Sequence, residues 1–284
     1  GKFNFIARKI FMVLSIIMVS WNVADRLKEN LVSIFQSQTG FDFEVFVVDN
    51  ASSDNTVEIV KKEFPQVKLI ENKENLGFAK ANNIAIQEVQ GDYILLLNPD
   101  MRVLPNTLKN MADWMGVHKE AGVASCLLKN EKGEIIKHVR RFPTVWDQLA
   151  VVLKIPHIIP QVLNKYIVAD FDYAKTAEVD SIRGAFFMIR REVIEKLGGL
   201  DERYFIWFEE VDYCKQVKNA GWKIMYTPEA EAIDYIGQSF SQVKRGEKQK
   251  YFRDSMLKYF QKWHKGWENS VLKWAWKFSM ILIK

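Results

Sequence analysis

The sequence predicts an α/β fold with a mostly parallel central sheet flanked by helices. Through the first half of the 284 residues, apolar strand-like runs alternate with segments of helical spacing, as in parallel sheets covered on both faces. Three of these runs end in polar clusters, "SWN", "DNASSDN" and "NPD". Such sheets bind ligands at the carboxyl ends of their strands, so we expect the functional site there.

The elements of the first half follow one another without long interruptions. "MVLSIIMVS" is predicted to be a strand and "ADRLKENLVSIFQSQ" a helix, followed by the strand "FEVFVVDN". The helix "NTVEIVKKEF" opens at Asn55 with Glu58 three residues on, the spacing of a capping box. The strand "VKLIE", the helix "GFAKANNIAIQEV" and the strand "DYILLLNPD" complete the alternation.

The second half changes character. Residues 142–180 are amphipathic and broken by Pro143, Pro156 and Pro160, which predicts short helices and a mobile connection. "VDSIRGAFFMIR" then returns to strand, "REVIEKLGG" is a short helix, and "KIMYTPEAEAIDYIG" reads as one or two further strands.

Composition narrows the class of protein. The chain is 48% hydrophobic and 26% charged with a net charge of +5, and without an Arg-rich stripe a nucleic-acid partner is not expected. Cys126 and Cys214 form no C-x-x-C pair, so we interpret them as reduced core thiols of a cytoplasmic protein. No G-x-G-x-x-G or P-loop motif is present, so a metal ion is the obvious means of holding a phosphate-bearing ligand.

Three carboxylates stand close together in "FIWFEEVDYCKQVKNAGW". A helix is predicted from near Glu209 to Gly221, and acidic residues in its first turn would be favoured by the helix dipole alone. One of them could instead take a proton from a substrate, with burial raising its pKa. Helical spacing places Glu209 and Asp212 on one face and Glu210 on another.

The strand ends offer further candidates, each with a local alternative. Asp100 suits Mg²⁺ or Mn²⁺ beside a diphosphate, although Asn-Pro-Asp is also an ordinary turn. Asp49 and Asn50 could bind a nucleobase or ribose, or cap the next helix. Trp21 could stack on a base or lie in the core.

The C-terminal tail has an amphipathic pattern. Trp, Phe and Lys together suit a helix lying in a membrane interface, and the alternative is a helix packed on the domain or on a second subunit, as in a homodimer. The residues predicted to share the apolar face and the adjoining basic strip are Trp267, Val271, Trp274, Phe278 and Ile281, with Lys273, Lys277 and Lys284.

Taken in order, these stretches resemble family 2 glycosyltransferases of the GT-A fold, in particular the rhamnosyltransferase-like branch. The matching stretches are "LSIIMVSWN", "EVFVVDNASSDNTVEIV", "ENLGFAKANN", "YILLLNPD", "VDSIRGAFFMIRREVIEKLGGLDERYFIWFEEVDYCKQVKNAGWKI" and the region near "GQS". The resemblance implies a Rossmann-like sheet, a nucleoside diphosphate sugar donor (dTDP- or UDP-linked) and inverting hexosyl transfer to an acceptor hydroxyl. The acceptor it implies is a lipid-linked or cell-envelope glycan at the inner face of the cytoplasmic membrane.

The resemblance also implies roles for residues and regions. Glu210 would be the base with Glu209 and Asp212 in support, and Asp100 would bind Mg²⁺ or Mn²⁺. The residues implied in binding the nucleotide sugar are Ser20, Trp21, Asp49, Asn50, Asn75, Gly77, Lys80, Asn98 and Gly184. The implied regions are a leader or expression remnant (1–11), a catalytic domain (12–240) with nucleotide-binding (12–117) and acceptor-binding (118–240) halves, and a basic, aromatic helical region (241–284).

Two departures from the family pattern bear on activity. Asn98 replaces the first carboxylate of a D-x-D motif, and Asp234 stands where relatives usually have a histidine. Asp234 is therefore expected as a second metal ligand. Transfer to a polyprenyl phosphate, and a catalytically silent nucleotide-binding scaffold, are the alternative functions.

Overall fold

The computed structural model describes residues 12–235, 237 and 242–282. The predicted leader, 1–11, and Gln238 and Ser239 of the "GQS" stretch lie outside these residues. The strands are β1 (Met12–Ser20), β2 (Asp42–Asp49), β3 (Lys68–Glu71), β4 (Tyr93–Leu97), β5 (Met101–Val103), β6 (Ala121–Lys129), β7 (Val139–Arg140), β8 (Ala177–Val179), β9 (Ser181–Ile182), β10 (Phe186–Arg190) and β11 (Lys223–Asp234). The helices are α1 (Ala24–Phe35), α2 (Thr56–Glu63), α3 (Phe78–Ile86), α4 (Thr107–Val117), α5 (Val145–Val152), α6 (Arg191–Leu197), α7 (Glu209–Asn219), α8 (Arg245–Trp263) and α9 (Gly266–Leu282).

One mixed sheet organises the chain. Within the described residues its strand order is β3-β2-β1-β4-β10-β6-β11-β5, with β8 paired to β11. β1, β2, β3 and β4 are mutually parallel, whereas β10 runs antiparallel to both β4 and β6. The predicted α/β class is confirmed, and the carboxyl ends of β1, β2 and β4 meet at one edge of the sheet.

Helices cover both faces of this sheet. Buried side chains of α1, α2 and α4 pack on one face, among them Leu31 and Met111. Buried side chains of α3, α6 and α7 pack on the other, among them Ala81 and Val217. Because both faces are covered, the strands are apolar without alternation, which is why β1 and β4 read as continuous hydrophobic runs.

Three local predictions need correction. Asn55 occupies the N-cap of α2, but its side chain makes no capping hydrogen bond; the Asp54 carboxylate accepts from the Thr56 amide at 3.1 Å instead. The helix predicted to reach residue 38 ends at Phe35. "VDSIRGAFFMIR" is not one strand, because β9 pairs with β7 whereas β10 pairs with β4, so the chain changes sheet between them.

The C-terminal region is helical, as predicted, and forms a third apolar cluster with the segment around α7. This cluster contains Tyr204 and Phe208, of which Phe208 directly precedes α7. They pack with buried Tyr259 and Phe260 of α8 and with Leu272 of α9. In the part of the chain that the structure describes, no helix combines the length and hydropathy needed to cross a bilayer.

Candidate active site

A cavity of about 270 Å³ lies at the carboxyl edge of the sheet, between the ends of β1, β2 and β4 and the start of α7. Parallel strands place these ends together although they are far apart in sequence, as expected for an open α/β sheet. Nine of the predicted site residues line the cavity: Trp21, Asn50, Asn75, Gly77, Asn98, Asp100, Gly184, Glu209 and Glu210.

The other five predicted residues do not line it. Ser20 and Asp49 are buried at the ends of their strands. The Asp49 Oδ2 accepts from the Ser52 amide at 2.9 Å, which is a local contact in the turn before α2 and not a cap of that helix. Lys80 is exposed on α3. Asp212 and Asp234 are fully buried in polar contacts described below.

The side of the cavity formed by β2 and α3 is a network of asparagine side chains. Asn50 Nδ2 donates to the Gly77 carbonyl at 3.2 Å, and its Oδ1 accepts from Asn72 Nδ2 at 2.9 Å. Asn75 Oδ1 accepts from the Gly77 amide at 3.0 Å. These contacts fix the orientation of amides that can donate to and accept from a nucleobase or ribose.

Gly77 joins this network to the segment before α7. Its φ is +82°, and a Cβ there would come within 2.4 Å of the Phe205 carbonyl oxygen. That carbonyl accepts a hydrogen bond from the Phe78 amide at 2.7 Å. Only glycine permits so close an approach in this left-handed conformation.

The chain enters α7 in an unusual conformation. Trp207 and Phe208 both have left-handed backbone angles, with φ of +66° and +69°, which bulky residues rarely adopt. Strain of this kind persists where surrounding contacts enforce it and is concentrated at functional sites. Here the apolar packing of Phe208 and Trp207 enforces it, and Glu209 begins the helix at the cavity.

The pKa values of both Glu209 and Glu210 are raised above their usual range. Burial raises the pKa of the Glu209 carboxyl, and the neighbouring Glu210 raises it further. Burial also raises the pKa of Glu210, although the Arg183 guanidinium opposes that rise. Within the described residues, neither Glu209 Oε2 nor Glu210 Oε2 has a hydrogen-bond partner. An acid whose pKa lies closer to neutrality can exchange a proton with a substrate hydroxyl.

The cavity does not divide the three carboxylates as the helix faces do. Glu209 and Glu210 both line the cavity, because a cavity beyond the end of a helix can be reached from several directions in its first turn. Asp212 instead accepts hydrogen bonds from Lys262 Nζ at 2.8 Å and Trp263 Nε1 at 2.5 Å. The structure therefore places Asp212 at the contact between α7 and α8, away from the cavity.

Asp100 lines the cavity at the end of the turn that follows β4 and is 2% exposed. Asp234 pairs with Met101 across β11 and β5, but its Oδ2 accepts from Arg183 NH1 at 2.9 Å. No group of three metal-ligating side chains occurs in the described residues. One carboxylate facing the cavity fits a Mg²⁺ or Mn²⁺ ion that takes its remaining ligands from substrate phosphates and water.

Several cavity residues were not predicted from the sequence. Arg183, Phe205, Ile206 and Trp207 all line the cavity. The charge of Arg183 directly before the apolar run "GAFFMI" was an available signal. Nothing in the sequence distinguished Phe205 and Trp207 from core aromatics, because their position depends on the left-handed backbone before α7.

The cavity lies where an open α/β sheet binds its ligands, and comparison with known proteins identifies the family. The family described as "Glycosyl transferase family 2" matches residues 15–198. The chain therefore belongs to glycosyl transferase family 2, and it is a glycosyltransferase.

Its relatives include rhamnosyltransferases. An N-acetylglucosaminyl-diphospho-decaprenol L-rhamnosyltransferase of Mycobacterium tuberculosis is 24% identical over 281 residues, covering 95% of this chain and 91% of the relative. The rhamnosyltransferase WbbL of Escherichia coli is 28% identical over 167 residues, covering 56% of this chain and 61% of the relative. The similarity to the rhamnosyltransferase-like branch is thus confirmed.

Solved structures with the same fold are also glycosyltransferases. The mannosyltransferase PcManGT of Pyrobaculum calidifontis, in complex with GDP-Man and Mn²⁺, has a TM-score of 0.60 and 18% identity, covering 94% of this chain and 73% of its own. GalNAc-T7, with UDP, GalNAc and Mn²⁺, has a TM-score of 0.62 and 16% identity, covering 87% of this chain and 49% of its own. These similarities establish the GT-A fold.

Proposed function

We propose that this glycosyltransferase transfers a sugar, with inversion, from a nucleoside diphosphate sugar to a hydroxyl of a lipid-linked or cell-envelope glycan. The observation that carries the proposal is the meeting of Glu210 and Asp100 in one cavity with the asparagine network around Asn50. A base, a ligand for a diphosphate-bound cation and groups for the nucleoside are the parts such a transfer requires.

In the proposed reaction, Glu210 is the base. Its carboxylate takes the proton of the acceptor hydroxyl while the acceptor oxygen forms a bond to the anomeric carbon from the face opposite the diphosphate. The bond between that carbon and the diphosphate breaks, and its electron pair leaves with the nucleoside diphosphate. The raised pKa of Glu210, caused by burial, brings its proton affinity closer to neutral pH, which favours general base catalysis.

Glu209 and Gly184 would support this step. Glu209 is 5% exposed and the charge of Glu210 raises its pKa, so a protonated Glu209 beside an ionised Glu210 avoids placing two charges in one buried site. A Cβ at Gly184 would lie 3.6 Å from the Glu210 Cβ, so the bare backbone there leaves room for the sugar beside the base.

The donor end of the cavity would bind the nucleotide through Trp21 and Asn50, with Asn75 and Asn98 nearby. Asp100 would hold Mg²⁺ or Mn²⁺. When bound, such an ion neutralises charge on a diphosphate. The similarity to rhamnosyltransferases makes L-rhamnose, carried by dTDP or UDP, the first sugar to test.

The acceptor would approach from the side of the 142–180 connection and the C-terminal helices. Burial raises the pKa of Tyr166, in that connection, to about 12, and the nearby charge of Glu210 contributes to the rise.

On α9, the exposed side chains are Trp267, Trp274 and Phe278, while the opposite face packs on the domain through Leu272. One face of α9 thus packs on the rest of the chain, and we propose that its exposed face contacts the membrane that carries the acceptor. The side chain of Ile281 and all of Lys284 lie outside the description, and a homodimer stays a prediction.

The test is the Glu210→Gln variant, compared with Glu192→Gln, a matched change in the first turn of α6 at an exposed position. A panel of UDP, dTDP and GDP with and without Mn²⁺ or Mg²⁺, read by thermal shift, identifies the nucleotide. Transfer is then measured with that nucleotide's sugars. We expect Glu210→Gln to lower the transfer rate by about a hundredfold to ten-thousandfold with nucleotide affinity retained, and Glu192→Gln to change neither.

The other outcomes separate the alternatives. Equal loss of transfer and nucleotide affinity in Glu210→Gln would refute its role as the base. An unimpaired Glu210→Gln enzyme would favour an anionic acceptor such as polyprenyl phosphate, which needs no base. A folded wild-type protein that responds to no nucleotide would contradict the proposed function.

A further inference from the structure

A partly buried ion pair lies beside the cavity. Arg183 NH1 donates to Asp234 Oδ2 at 2.9 Å. The Asp234 side chain is fully buried, whereas that of Arg183 is 35% exposed and lines the cavity next to Gly184. The arginine is therefore the member of the pair that a ligand in the cavity can reach.

Most N–H donors of the Arg183 guanidinium are not used by the bond to Asp234. In the part of the chain that the structure describes, the bond to Asp234 is the one hydrogen bond of the Arg183 side chain. Arginine carries five N–H donors in a planar fork that matches phosphate oxygens, and it stays charged at every physiological pH. An arginine fixed at one nitrogen by a buried carboxylate is thus oriented for a phosphate at its other nitrogens.

Sheet pairing brings this arginine to the diphosphate end of the cavity. Asp234 lies opposite Met101 in the β11–β5 pair, and the Tyr235 amide donates to the Asp100 carbonyl at 3.1 Å. Arg183 and Asp100 both line the cavity. The Arg183 charge also reaches Glu210, where it opposes the rise in pKa.

We propose that Arg183, held in place by Asp234, binds the diphosphate of the donor and neutralises the charge that develops on the departing nucleoside diphosphate. The guanidinium donates hydrogen bonds and keeps all its protons, so it lowers the energy of the leaving group by charge alone. Asp234 is a positioning residue for Arg183 in this arrangement and does not bind the metal ion. The inference rests on the proposed function, because it requires a nucleoside diphosphate in this cavity.

The experiment must keep the protein folded. Removing Arg183 alone would leave the buried Asp234 charge without its partner, which is strongly destabilising, so the test variant is the charge-balanced pair Arg183→Met with Asp234→Asn. The matched control is Arg203→Met, which removes an exposed arginine paired with Asp201 outside the cavity. Calorimetry in EDTA gives the Kd of UDP and UMP, or dTDP and dTMP, for each protein.

We expect the wild type to bind the diphosphate more tightly than the monophosphate without metal. The double variant should lose about tenfold to a hundredfold in affinity for the diphosphate, the worth of a charge-assisted hydrogen bond, with much less change for the monophosphate. Asp234→Asn alone should lose part of the same preference, and Arg203→Met should behave as wild type.

Two results would overturn the inference. If the double variant keeps the wild-type preference for the diphosphate, Arg183 does not bind it, while the proposed function stands. If Asp234→Asn weakens Mn²⁺ binding and leaves the metal-free preference intact, Asp234 is a metal ligand. Failure of the wild type to bind any nucleotide would instead remove the proposed function, and the inference with it.

Discussion

Replacing Asp212 by alanine should destabilise the protein more than it affects the chemistry. The carboxylate is fully buried and accepts hydrogen bonds from Lys262, Trp263, Gln216 and Tyr204 at 2.5–3.4 Å. Breaking a buried charge pair by removing one partner costs about 3–5 kcal/mol. Lys262 would retain its other carboxylate partner, so we expect the lower part of that range, about 3 kcal/mol.

Urea unfolding followed by tryptophan fluorescence measures this cost. With a slope of about 3 kcal/mol per molar urea, the midpoint of Asp212→Ala should fall by about 1 M. Asp113→Ala is the control, because Asp113 forms an exposed ion pair with Lys109 on α4 and should change stability by less than about 0.5 kcal/mol. An Asp212 variant as stable as the Asp113 variant, yet inactive in transfer, would refute the structural role and restore Asp212 to the catalytic group.

Three further predictions test other parts of the structure. Glu209→Gln should stabilise the protein, relative to the wild type, increasingly as pH rises above 4.5. The contribution of Glu209 to wild-type stability is fully present below its unfolded pKa and is lost as pH rises through its raised folded pKa. Thermal unfolding at pH 4.5 and pH 8 measures the difference in stability between the two proteins, and a pH-independent difference would contradict the prediction. Gly77→Ala should abolish nucleotide binding and lower the Tm, since its Cβ would clash with the Phe205 carbonyl, whereas Gly133→Ala, with φ of +79° and open space around it, should affect the Tm alone. Trp274→Ser should reduce co-sedimentation with vesicles of anionic phospholipid, and unchanged binding would argue against α9 as the membrane contact.

The sequence was sufficient to predict the layers of the fold and most of the cavity. Apolar runs without alternation identified β1, β2 and β4 as strands buried on both faces. Because parallel strands end at the same edge of the sheet, this assignment predicted which polar residues would meet there. Asn50 and Asp100 share the cavity for this reason. The resemblance to a family then supplied their chemical roles, which the pattern alone left open.

What the sequence could not predict depends on contacts between distant segments. Helical spacing assigned Asp212 to the face of Glu209, but spacing contains no information on which side Lys262 and Trp263 would approach. The pairing of Arg183 with Asp234 joins residues 51 positions apart. Arg183 lies between β9 and β10, where the chain passes from one sheet to the other. The left-handed backbone at Trp207 and Phe208 likewise has no local sequence signal, because the surrounding aromatic packing imposes it.

The hydrogen bond between the Phe78 amide and the Phe205 carbonyl has a consequence for how the two substrates influence each other. It connects the Gly77 loop, where we propose that the nucleotide binds, to the segment that leads into Glu210, the proposed base, so a shift of either segment is transmitted to the other through this backbone contact. If donor binding orders this contact and thereby improves the fit of the acceptor, thermodynamic reciprocity requires that the acceptor tighten the donor by the same factor. Cooperativity between donor and acceptor would then be a property of one glycine, since only Gly77 allows the two backbones to meet.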